Sequence, residues 1–216
     1  MGEAIFAVIV GVLAFAATNL DGLFLVMVLL AAGKISRGEA VWGQVAGTAA
    51  LMALSVAGAA GTVLLPPEWN HWLGALPLAV GVKQLWDSWR ARRPEFTLEG
   101  DLAHPERVGP KIPLDRILAK TRSDAAGGSG LLLVTLTTIG HGGDNIGVYV
   151  ALFTAQPWAM DAIQIGVALG MAVAWGRLTA ALIAHPTLGA PLRRAGPWLL
   201  PWVLIALGVL ILWPDA

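Results

Sequence analysis

The chain has 216 residues, of which 56% are hydrophobic and 13% charged, and its 14 basic and 14 acidic side chains balance to zero. A soluble domain carries about 25% charged residues, so this composition cannot cover a water-facing surface and excludes an ordinary soluble globular domain. Balanced charge gives no footprint for nucleic acid, and the absence of cysteine excludes disulfides and thiolate metal sites.

The first apolar run, Glu3 to Ala32, has no basic residues ahead of it and continues past any cleavage point. It therefore reads as a membrane helix and not as a signal peptide. Further runs follow at 41–65, 70–89, 129–154, 162–184 and 197–213. Each is long enough, or nearly so, to cross about 30 Å of hydrocarbon as a helix. Pro66-Pro67, Gln156-Pro157 and His185-Pro186 punctuate the joins, and most of the ten tryptophans fall near run ends, as interfacial anchors do. The expected fold is all-α, a polytopic membrane protein of six transmembrane helices.

Orientation follows from the basic residues. Lys34 and Arg37 follow the first run, nine more lie between Lys83 and Arg122, and Arg193 and Arg194 follow the fifth. The joins after runs two and four hold none, which places both termini outside. The segment 90–128 is polar, rich in Pro and Gly, and reads as a cytoplasmic linker. It divides a first three-helix repeat, 1–89, from a second, 129–216. With three spans in each, the second copy is inverted, an arrangement that recurs in transporters with a midplane substrate site.

The chemistry sits at matching places in the two halves. Asn19-Leu20-Asp21-Gly22 in run one corresponds to Gly142-Gly143-Asp144-Asn145 in run four, and both aspartates fall within roughly 5 Å of the bilayer centre. An aspartate there costs about 2.5–3.5 kcal/mol, which points to function and away from helix capping. Gly22, Gly140, Gly142 and Gly143 are expected to interrupt both helices and free carbonyls to face a cavity. Asp21 and Asp144 would together neutralise one divalent metal cation, with Asn19, Asn145 and Thr18 completing an oxygen-rich shell. His141, three residues before Asp144, is open to three readings: a nitrogen ligand, a proton carrier, or a satisfied buried histidine. Histidine with carboxylates suits Zn, Cd or Mn better than Ca or Mg. Gln44, Gln164 and Thr138 are pathway candidates, with Ser55, Thr135 and Thr137 weaker ones. Arg177 either snorkels to the cytoplasmic interface or pairs with a core acid.

At these residues the chain resembles the bacterial cadmium-resistance transporter family (CadD-type), within the superfamily of lysine exporters. The most specific stretch is Gly142-Gly143-Asp144-Asn145-Ile146-Gly147-Val148-Tyr149. Supporting matches are Asn19-Leu20-Asp21, Gly43-Gln44, Leu73-Gly74 with Pro77 and Gly81, His185-Pro186, and Pro201-Trp202-Val203-Leu204 with Gly208. The family commonly has a second acid where Gly22 stands here. The resemblance implies a non-enzymatic, multi-pass protein of the bacterial cytoplasmic (inner) membrane that exports cadmium from a site on Asp21, Asp144 and Asn145. No cofactor is implied. The expected partners are the divalent ion and the lipid bilayer, with a homo-oligomer compatible with the sequence.

The leading expectation is export of a divalent heavy-metal cation, cadmium first, by alternating access coupled to protons. The rivals are export of a basic amino acid or of another metal such as Zn or Mn, and, from another class, an intramembrane metal-dependent hydrolase. Against the hydrolase, the chain has neither Gly-x-Ser-x-Gly nor His-Glu-x-x-His.

Overall fold

The computed structural model describes residues 2–31, 33–64, 66–90, 129–184 and 186–213, and among the described residues every regular element is helical. The side chains of Asp21 and of residues 67, 68, 129, 184 and 186–198 lie outside the described part, as does the expected linker from residue 91 to 128. The helices are α1 (Gly2–Ala31), α2 (Arg37–Gly61), α3 (Ala75–Arg90), α4 (Ser129–His141), α5 (Gly143–Thr154), α6 (Trp158–Ala184) and α7 (Pro186–Leu212). Short 3-10 turns, Thr62–Leu64 and Pro67–Gly74, join α2 to α3. Three stretches, Gly2–Leu20, Arg37–Leu64 and Trp158–Ile183, are long and apolar enough to cross a membrane by length and composition.

Two differences from the sequence expectations stand out. α1 runs unbroken through Gly22, whereas the fourth run breaks at Gly142 into α4 and α5. One glycine costs a helix about 1 kcal/mol, too little to open a 30-residue segment whose backbone has no other partners in lipid. At Gly142 three glycines cluster, and a Cβ there would collide with the Leu51 side chain. The second difference is that the last helix begins at Pro186, well before the expected 197, so Arg193 and Arg194 belong to a helix and not to a connection. Proline at the first helical position has no amide to lose, which is why it starts a helix so readily.

Local signals fix other boundaries. Gly33, at φ 66°, turns the chain after α1. Ser36 then caps α2 in a reciprocal box: the Glu39 amide donates to Ser36 Oγ (3.2 Å), and the Ser36 amide donates to Glu39 Oε2 (2.7 Å). The same carboxylate also takes hydrogen bonds from the amides of Gly130 and Leu131 at the start of α4. A Cβ on Gly130 would lie 2.5 Å from it. One acid thus satisfies the open amides of two helix starts.

α2 is the hub. It packs against α4, α5 and α6, while α1 lies against α6 and α3 against α7. Glycines set the close approaches. A Cβ on Gly47 would come within 2.5 Å of Thr138 Cβ, and one on Gly43 within 2.5 Å of Val134 Cβ. Across α3 and α7, Gly208 faces Gly74 O, and Gly81 faces Pro201 O. The family-like glycines and prolines of runs three and six are therefore the seam between those two helices. The main core gathers Phe15, Leu51, Tyr149, Phe153 and Leu204 from four helices.

A Cβ at Gly208 would sit 2.6 Å from Leu78 N and 2.7 Å from Gly74 O, both backbone atoms that cannot swing aside. Gly208→Val is expected to cost about 1–3 kcal/mol, read as a lowered Tm in detergent, whereas Gly170→Ala, which meets open space, should stay within about 0.5 kcal/mol.

Candidate functional site

The break at Gly142 opens onto a cavity between the halves. Asn19, Gly22 and Val26 line it from α1, Gln44 and Thr48 from α2, and Thr137, Thr138 and His141 from α4. Asn145 enters from α5, while Phe15 and Trp175 meet edge-to-face at one side, with ring centroids 5.7 Å apart and planes at 88°. The cavity volume is about 20 Å³. One water-sized occupant needs about 10–15 Å³, so the space suits a single small ion and is far too small for an amino acid.

The lining is held by a short hydrogen-bond chain. Asn145 Nδ2 donates to Asn19 Oδ1 (3.3 Å), and Asn19 Nδ2 donates to Thr18 Oγ1 (2.9 Å) and to Phe15 O (3.0 Å). Trp175 Nε1 donates to Asn19 O (3.1 Å). These bonds consume donors and leave acceptors over. Gln44 Oε1, His141 Nδ1 and Asn145 Oδ1 are all buried, and none has a hydrogen-bond partner in the protein. Leaving a buried acceptor unmade costs about 1–3 kcal/mol, so the three together cost on the order of 3–9 kcal/mol. Two amide oxygens and one imidazole nitrogen without partners thus belong to residues that line one ion-sized space.

The expected residues divide as follows. Asn19, Asn145, His141, Gln44 and Thr138 share this one cavity, with Thr18 directly behind Asn19. Gln164 is elsewhere: it is fully buried and bonded to Gln156 near the start of α6. Asp144 is exposed in the first turn of α5, does not line the cavity, and its carboxylate faces the amides of residues 144 and 145. An acid at that helix start is favoured by the dipole as well. Asp21 belongs to α1 between Asn19 and Gly22, with its side chain outside the described part. Arg177 is exposed on α6 and away from the cavity, as a snorkelling residue would be. Among the described residues no group of three His, Asp or Glu side chains forms a metal centre, so amides dominate the donor set.

Thr48, Phe15 and Trp175 line the cavity without having been singled out by sequence. Thr48 lies one turn after Gln44 on the same helix face, a spacing that does mark it. Trp175 is the one lining tryptophan in a chain whose tryptophans otherwise read as interfacial anchors.

Residues 115–216 match the family model described as cadmium resistance transporter. That stretch contains the whole run Gly142 to Tyr149 and so two of the cavity's acceptors, those of His141 and Asn145, lie within or beside it. No curated protein matches the chain. No solved structure does either.

If the orphaned acceptors serve an ion, removing one should help the empty protein. Gln44→Met keeps the side chain's unbranched length and deletes an unpaired oxygen, so it should stabilise the metal-free protein by about 1 kcal/mol. The readout is a raised Tm without metal, together with a smaller Tm rise on adding Cd.

Proposed function

We propose that the chain is a membrane exporter of a divalent heavy-metal cation, cadmium first, working by alternating access between two inverted three-helix repeats. The observation that carries this reading is the trio of unpartnered acceptors around an ion-sized cavity, in a chain whose second half matches a cadmium resistance transporter family. Pairing of the helices supports the repeats. Exchange α1 with α4–α5, α2 with α6 and α3 with α7, and the packing pattern is kept: α1 on α6 answers α4–α5 on α2, while the α2–α6 and α3–α7 seams map onto themselves. Six spans follow if α3, the broken α4–α5 pair and α7 also cross. The basic residues then put both termini outside the bacterial inner membrane.

In this reading Asn145, Gln44 and His141 contact the cation, with Asn19 and Thr18 orienting Asn145 and Thr138 beside them. A neutral shell leaves the ion's two charges uncompensated, and Asp21 and Asp144 supply the compensation. Asp144 acts on the ion from the far side of the Asn145 turn. At roughly 8 Å and an effective dielectric of about 20, one carboxylate and a doubly charged ion attract by about 4 kcal/mol. Once the metal leaves, the acids lose the positive charge that favours their ionised forms, so each export event takes up a proton. The imidazole nitrogen favours Cd or Zn over Ca or Mg. The cavity's size argues against a basic amino acid as cargo in this conformation.

Calorimetry with Cd, Zn, Mn, Ca and Mg tests the site. His141→Ala and Asn145→Ala should each weaken Cd binding by about tenfold or more, the loss of ~1.4 kcal/mol. Asp144→Asn should weaken it by a similar factor, and more strongly at low salt. Wild-type protein that binds no divalent ion would overturn the reading. In proteoliposomes, Cd efflux that ignores an imposed pH gradient would remove the proton coupling while leaving the exporter.

A further inference from the structure

α3 carries its exposed apolar side chains as one stripe that ends in a cation. Val82, Trp86 and Trp89 are 53%, 50% and 70% exposed and follow spacings of four and three, so they share one face of the helix. The rings of Trp86 and Trp89 lie 5.9 Å apart at 47°. Arg90, in the last turn, closes the stripe with its Cζ 5.0 Å from the centre of the Trp86 ring. A guanidinium over an indole face is held in place without an ion pair. The other basic side chain of α3, Lys83, reaches along the helix to Asp87, with Nζ 4.0 Å from Oδ2. Those two charges cancel. Arg90 forms no ion pair among the described residues and is the uncompensated charge of the helix.

The seam with α7 extends the patch. A Cβ on Gly74 would meet Gly208 O and Leu212 N, and one on Gly81 would meet Pro201 O and Ile205 N, so the two helices run antiparallel in step. Arg90 lies nine residues past Gly81, and nine residues before Pro201 and Ile205 are positions 192 and 196. The last turn of α3 is therefore level with the stretch of α7 that carries Arg193 and Arg194. Arg92 and Arg93 follow Arg90 in the sequence. Further along the seam, near the level of Val82, α7 exposes Leu199 and Trp202. Apolar side chains thus lie along the seam, and basic positions gather at its end.

We propose that this end of the α3–α7 seam binds an anionic phospholipid, with Arg90 on the headgroup phosphate and Val82, Trp86 and Trp89 along an acyl chain. The leaflet is the inner one in the orientation that the basic residues give. A planar guanidinium matches a phosphate with paired N–H donors, and the Trp86 ring sets its plane before the lipid arrives. Indoles favour the headgroup level, and basic positions just past a membrane helix favour anionic lipid over neutral lipid. The proposal needs a membrane-spanning chain but no metal, so it goes beyond the exporter reading and is tested apart from it.

Thermal melting of the full-length protein in detergent, titrated with short-chain phosphatidylglycerol or phosphatidylcholine, tests this. Phosphatidylglycerol should raise Tm at about tenfold lower concentration than phosphatidylcholine, ~1.4 kcal/mol. Arg90→Gln should raise the half-saturating phosphatidylglycerol concentration by about tenfold and leave phosphatidylcholine unchanged. Trp86→Leu, which keeps an apolar stripe but removes the ring beneath the guanidinium, should raise it by about threefold. Lys34→Gln, an exposed charge in the turn after α1, should stay within about twofold. Equal responses to the two lipids, or an Arg90→Gln protein that keeps the preference, overturns the proposal. A loss in Lys34→Gln as large as in Arg90→Gln does so too, because diffuse charge would then explain the preference. Inorganic phosphate that raises Tm as well as phosphatidylglycerol does leaves the apolar stripe no part and overturns it. So does a dimer in native mass spectrometry that is lost in Trp86→Leu, since a second copy would then cover the patch. Wild type that binds no divalent ion refutes the exporter reading alone.

Discussion

A polar atom buried in a membrane helix bundle has no water to fall back on, and every feature of the site follows from that constraint. Most polar side chains here meet it by bonding back to their own helix, as Thr18, Ser55, Thr138 and Thr179 do to carbonyls three or four residues earlier. Gln44, His141 and Asn145 do not. All three residues line one small space, where Asn19 Oδ1 accepts from Asn145 Nδ2 and Trp175 Nε1 donates to Asn19 O. Unpaired acceptors of this kind raise the energy of the protein without a ligand, and that is the physical basis for reading the cavity as a cation site.

The helical class, the places of the long helices and the chemistry of Asn19, Asn145 and His141 were legible in the sequence, because apolar runs and midplane polar residues are strong signals in lipid. The phase of each helix was not. Asp144 and Asn145 are neighbours, about 100° apart on a helix, and only packing decides which of them faces inward. Here Asn145 turns in to meet Asn19 and Asp144 turns out to the start of α5. The two glycine-bearing motifs read alike as breaks, yet only the one with a glycine cluster and an intruding leucine is broken. Trp175 was hidden by its own chemistry, since nine other tryptophans gave every reason to read it as an anchor at the lipid boundary.

The first and fourth apolar runs differ in continuity: α1 is one continuous helix, while α4 and α5 are divided at Gly142 beside the ion-sized space. In an exporter of the proposed kind, the divided helix is the natural place for local rearrangement, since glycines flank its division and His141 and Asn145 lie on either side of it. Alternating access then involves small re-registration of one broken helix against a rigid neighbour, which a tightly packed core tolerates better than continuous deformation.

The carboxylate of Glu39 serves the starts of both α2 and α4. That shared anchor ties the setting of α4 to the setting of α2, so losing this one carboxylate would free the first turns of both helices at once.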